Sequence, residues 1–133
     1  MDNSMRLSTA LTLTALALPA LLALGCGPPT PSQVSFRNQI EPILAKHCVS
    51  CHVEGKPGTE ASGLQLDSYA ALMKGTRFGS VVVPGDPLSS VFNALVEGRA
   101  DPSIKMPYRG HSQLSTLEIQ QLRDWVQQGA RDN

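Results

Sequence analysis

From Ser35 to about His47 the apolar residues Phe36, Ile40, Ile43 and Leu44 fall at i, i+4, i+7 and i+8, the spacing of one buried helix face. Pro42 interrupts this helix: an interior proline costs about 3 kcal/mol, so the pattern allows a kink there or a start nearer Glu41. Val53 to Ser62 is rich in glycine, proline and charge and reads as a surface loop. Leu64-Gln65-Leu66 alternates and reads as a short extended run. Asp67 or Ser68 can cap a short helix through Met73, ended by Gly75. Val81-Val82-Val83, stopped by Pro84-Gly85, is too brief to found a sheet and suits an apolar wall. Asp86-Pro87 pairs a cap with a proline at the first helical position, which predicts a helix over Leu88 to Glu97 with Gly98 past its end. Val91, Leu95 and either Phe92 or Val96 would be its buried stripe. Asp101 to Tyr108 is a loop held by Pro102 and Pro107.

The last helix carries the clearest local signals. Ser115-Thr116-Leu117-Glu118 is a capping box, and Leu114 and Ile119 occupy the two positions of a hydrophobic staple. Ile119, Leu122, Trp125 and Val126 form the apolar stripe, and Gly129 stops the helix. The Phe36 face of the first helix is its natural partner. The expected fold is therefore all-α, a small helical domain over residues 35–131.

Ahead of that domain, Met1 to Gly25 reads as an export signal: Arg6 supplies a positive charge, and Leu7 to Leu24 is largely apolar but broken by hydroxyls and Pro19. A spanning helix wants about 20 predominantly apolar residues, which this run does not supply. Leu22-Ala23-Leu24-Gly25-Cys26 resembles the bacterial lipobox, although Ala23 stands where leucine is usual and Leu24 where a small residue is usual. The expectation is a signal peptide over 1–25 and a lipid anchor on Cys26; a soluble periplasmic protein cut near the same place is the alternative. Gly27 after the cysteine, in place of an aspartate retention signal, favours the outer membrane. Residues 26–34 then form a proline-rich tether, stiff because proline fixes φ and lacks an amide donor.

Length and charge narrow the classes. At 133 residues the chain fits one domain and a leader, since single domains commonly run to about 100–150 residues. Eleven Lys and Arg balance eleven Asp and Glu, so nothing suggests a nucleic-acid binder held by bulk charge. Trp125, Tyr69, Tyr108, Phe36, Phe78 and Phe92 are all the aromatics, a thin supply for the core of a domain this small.

Cys48-Val49-Ser50-Cys51-His52 carries the chemistry. C-x-x-C-H on an exported chain is the local pattern for covalent haem: two thiols add to the two vinyl groups, and the next residue offers an imidazole to the iron. Cys48 and Cys51 would hold the ring and His52 would be the proximal ligand. A thioredoxin-like redox pair needs no following histidine and would sit in a βαβ pattern, which is not seen here. A structural zinc site would need completion from His47 or His111. His47, just before Cys48, reads as a helix-end or solvent residue. Met106, presented by the proline-held loop, is the expected sixth ligand, since a thioether is soft and raises the reduction potential. His111 is its rival; Met73, among Tyr69, Ala70 and Leu72, reads as core packing.

The whole order resembles the class I c-type cytochromes, and more closely the planctomycete-type cytochrome c domain. An I-x-P-I-L helix precedes the haem motif, as in Ile40 to Leu44, and a G-L-x-L-D-S segment follows, as in Gly63 to Ser68. V-x-P-G-D-P-x-x-S is matched by Val82 or Val83 through Ser90, and M-P and the closing helix by Met106-Pro107 and Leu114 to Ala130. The resemblance covers Phe36 to Arg131. It implies one haem c, with thioethers at Cys48 and Cys51 and iron ligands at His52 and Met106. Tyr108 departs from the usual Met-Pro-Pro.

An iron held by two protein ligands has no open position for substrate. The expected role is thus one-electron transfer between redox partner proteins by a tethered monohaem carrier in the periplasm, and not catalysis. Two alternatives stay open: a haem-containing accessory or sensing subunit of a larger oxidoreductase, and a peroxidase-type site using His111 and Arg109 if Met106 does not bind.

Overall fold

The computed structural model describes residues 32–133. The expected signal peptide, Cys26 and the tether as far as residue 31 lie outside the described residues. The fold opens at Ser35, whose hydroxyl accepts from the Asn38 N–H at 3.2 Å. A π turn, Phe36–Ile40, follows and passes directly into α1, Glu41–His47. The Ile40 N–H reaches the Ser35 carbonyl and the Glu41 N–H reaches the Phe36 carbonyl, each bond spanning five residues. Pro42 then sits in the first turn of α1, where its missing N–H is not needed. The expected helix is continuous, with its change of register beside the proline. Phe36, Ile40, Ile43 and Leu44 are all buried.

Four more helices complete the fold: α2, Pro57–Ser62; α3, Tyr69–Lys74; α4, Val91–Val96; and α5, Thr116–Gln127. Among the described residues there is no strand, only an isolated bridge between Thr76 and Gly79. The architecture is all-α. None of these helices is long and apolar enough to cross a membrane.

α5 begins as its pattern predicts. Ser115 Oγ accepts from the Glu118 N–H at 3.2 Å, and Glu118 Oε2 accepts from the Ser115 N–H at 2.8 Å. Leu122, Trp125 and Val126 are buried, Ile119 is half-buried, and Leu114 packs against the core. Trp125 meets Phe36 with ring centroids 5.5 Å apart, and Phe36 meets Tyr69 edge-on at 5.2 Å. The two polar atoms of this cluster are satisfied: Tyr69 Oη donates to the Ala130 carbonyl at 2.9 Å and Trp125 Nε1 to the Arg131 carbonyl at 3.0 Å.

Three boundaries differ from expectation. Val53 to Ser62 is not wholly loop, because α2 forms within it. Pro57 opens that helix where no N–H is required, and Gly63 ends it at a φ of 81°, a left-handed position that suits glycine. α4 begins at Val91 and not at Leu88. Asp86 Oδ1 accepts from the Leu88 and Ser89 N–H groups at 3.0 Å, capping a turn, while the Ser90 hydroxyl donates to the Asp86 carbonyl at 2.8 Å and accepts from the Val83 N–H at 2.8 Å. Those bonds fasten the valine run to α4. The packed unit also runs past residues 35–131. Val34 is buried with its N–H on Gln128 Oε1, and Asn133 accepts from the N–H groups of Phe36 and Arg37.

α3 is capped by Ser68, which accepts from the Ala71 N–H. Met73, in that helix, packs against the core. Asn93 of α4 is fully buried, and its amide atoms meet no partner among the described residues.

Candidate functional site

Cys48 closes α1, and the chain then makes one further helical turn: the Cys51 and His52 N–H groups both bond the Cys48 carbonyl, at 3.1 and 3.0 Å. Residues three and four apart on such a turn share a face, so Cys48, Cys51 and His52 are brought to one side. All three line a cavity of about 790 Å³, within the range of about 300–1,000 Å³ usual for cofactor pockets. Leu64, Leu66 and Val81 contribute to its walls, and Val91, Phe92, Leu95 and Val96 face it from α4. The valine run thus supplies the expected apolar wall through Val81. Val91, half exposed, turns its exposed side to this space.

His52 is held by both its ring and its backbone. Nδ1 lies 3.2 Å from the Leu64 carbonyl oxygen, and the Leu66 N–H donates to the His52 carbonyl at 2.8 Å. With Nδ1 on that carbonyl, Nε2 is left as the free lone-pair nitrogen. Gly58 leaves room for it: a Cβ there would stand 2.8 Å from His52 Cε1, 2.9 Å from Nε2 and 2.7 Å from the Cys51 carbonyl oxygen. Sequence reasoning missed Gly58, which has no local signal beyond an ordinary Pro-Gly pair.

Met106 also lines the cavity, its N–H bonded to the Leu95 carbonyl of α4 at 3.3 Å. So does His111, its rival. Arg109 does not; it borders a separate surface hollow with Lys105 and His111. Met73 is not among the lining residues.

His47 departs from expectation. It ends α1, but its side chain has no exposure to solvent. Nδ1 lies 3.1 Å from the Ser112 carbonyl and Nε2 3.0 Å from Glu118 Oε1. Both partners are acceptors, so a ring protonated on both nitrogens satisfies both and a neutral ring satisfies one. The Ser115 N–H first, and the His47 ring next, hold the Glu118 carboxyl well below the usual carboxylate range. Those partners lie 65 and 71 residues away in the chain, beyond any local pattern.

The competing chemistries fare poorly. Burial first, and the neighbouring Cys51 second, push the Cys48 thiol up to about 12, the reverse of the depressed value a reactive redox thiol needs. Among the described residues no three His, Cys, Asp or Glu side chains are grouped to hold a metal ion by themselves. The cavity fits a porphyrin instead. It is apolar, Lys56 is its only lysine or arginine, and no carboxylate lines it.

A helical fold in which C-x-x-C-H opens onto such a cavity defines a c-type cytochrome domain. Residues 48–110 match the family model of planctomycete cytochrome C, which supports a planctomycete-type cytochrome c domain over that stretch. The match takes in the haem motif and Met106, while α1 and α5 flank it. Comparison with curated proteins and with solved structures returned no match. The domain implies covalently bound haem c at the Cys48 and Cys51 pair, and with it haem-based electron transfer.

Proposed function

We propose that this protein is a monohaem c-type cytochrome that carries single electrons between redox partner proteins in the periplasm, anchored to the outer membrane through a lipidated Cys26. The observation that carries the reading is the convergence of Cys48, Cys51, His52 and Met106 on one apolar cavity. Cys48 and Cys51 hold the ring through thioethers, His52 offers Nε2 to the iron, and Met106 offers its thioether from the loop after α4. Haem held there would supply one-electron redox chemistry at its iron. The Leu64 carbonyl fixes the His52 ring, and the apolar wall excludes water and disfavours the extra positive charge of the ferric state, which raises the potential. With His52 and Met106 both given to the iron, the haem would have no open position for substrate.

Export and anchoring are supported by the apolar leader and by Cys26 in its lipobox-like setting. Two or three acyl chains hold a protein stably where one does not. The partners would be proteins, since balanced charge offers no bulk attraction to nucleic acid.

Absorption spectra of the ferrous holoprotein with and without carbon monoxide test the carrier reading. A carrier with both positions filled shows a low-spin spectrum that carbon monoxide leaves unchanged. Immediate formation of a carbon monoxide complex would favour an open haem enzyme, with His111 at hand in the cavity.

A further inference from the structure

We infer that His47 is a positioning residue for the sixth ligand, clamping the loop that carries Met106 to the lead-in of the haem motif. The inference rests on the reading of Met106 as an iron ligand. Besides its chain connections, the loop's backbone makes two hydrogen bonds to other elements, and Leu114, just beyond its end, packs against the core. At its start the Met106 N–H bonds the Leu95 carbonyl of α4, and at its end the Ser112 carbonyl meets His47 Nδ1. Between these points the loop is braced on itself: the His111 N–H donates to the Tyr108 carbonyl at 3.2 Å, and Gln113 Nε2 donates to the His111 carbonyl at 2.9 Å. These bonds brace residues 108–113, and where Met106 sits depends on how the loop's two ends are held.

His47 suits the task because its own position is fixed twice. It is the residue immediately before Cys48, so its backbone is tied to the attachment point of the ring. Its second nitrogen is held by Glu118 Oε1, whose other oxygen takes the Ser115 N–H and hydroxyl at the head of α5. His47 borders the cavity, but its side chain has no exposure to solvent, so water does not readily replace either bond. Loss of the clamp loosens the far end of the loop, which is then held only from Leu114 and the head of α5 onward, while α4 still holds the near end. Met106 then leaves the iron more often without the domain unfolding.

The test compares His47→Phe, which fills the site but removes both bonds, with His47→Asn, whose amide reaches the Ser112 carbonyl only. Two signals are followed in the ferric holoprotein through urea: the far-red sulfur-to-iron band and the far-ultraviolet helix signal. The rate of carbon monoxide binding is measured on the ferrous form. In His47→Phe the band should vanish at lower urea than the helix signal, and the rate should rise about tenfold, the scale expected for one lost buried hydrogen bond. His47→Asn should stay near the wild type in both. If the phenylalanine does not fold, His47→Ala takes its place. Band and helix lost together, with an unchanged rate, would make His47 merely structural and overturn the inference. A wild type without the band would overturn the ligand reading itself, and this inference with it.

Discussion

His52 Nδ1 lies 3.2 Å from the carbonyl oxygen of Leu64, twelve residues further along the chain, so the segment after the haem motif folds back to orient this imidazole. Gly58 is what permits that approach. In Gly58→Ala the new Cβ would stand 2.7 Å from a backbone oxygen, which cannot swing aside as a flexible side chain does. Overpacking of this kind costs about 1–3 kcal/mol. Gly58→Ala should lower the thermal midpoint of the holoprotein and the yield of covalent haem per chain, read by calorimetry and intact mass.

Thioether attachment makes its own prediction. Haem should stay with the chain through acid-acetone extraction and denaturing electrophoresis, because the bonds do not depend on the fold. Cys48→Ala or Cys51→Ala should leave one bond and a measurable loss of haem under the same treatment. Complete extraction from the wild type would rule out covalent haem c.

Acid should weaken the head of α5. The Glu118 carboxyl is held below its unfolded value of 4.5 by the Ser115 N–H, His47 and Lys46, so its contribution to stability is complete above that pH and is lost as pH falls below it. The thermal midpoint should decline on acidification below about pH 4.5. Glu118→Gln should be less stable at pH 7 and show a shallower decline; parallel curves for the two proteins would deny Glu118 this role.

What could be read in advance follows from the range of the interactions. The capping box of α5 spans Ser115 to Glu118, and the C-x-x-C-H motif of Cys48 to His52 is equally local, so both were legible. α2 was hidden because proline and glycine, which mark loops, here mark the two ends of a six-residue helix. The start of α4 slipped because the Ser90 hydroxyl serves Val83 and Asp86, a tertiary bond that no propensity reports. The helix-end position of His47 was legible, but its burial was not, since that depends on α5 and the loop before it. The stripe of α4 was readable as apolar, but its partner is the cavity that Val91 and Leu95 line, and not the protein core alone.

Anchoring is tested by location. If Cys26 carries the proposed acyl chains, Cys26→Ala should move the protein from the membrane fraction to the soluble periplasm. A wild-type protein already soluble, with no lipid mass at its amino terminus, would remove the anchor.

The sixth ligand separates carrier from enzyme most directly, and the ferric absorption spectrum near the far-red end measures it. The wild type should show the weak sulfur-to-iron charge-transfer band. Met106→Ala should abolish it, lower the reduction potential and open the iron to carbon monoxide, while Met73→Ala leaves all three unchanged. A wild-type spectrum without the band, or a band that survives Met106→Ala while His111→Ala alters the spectrum, would contradict the account.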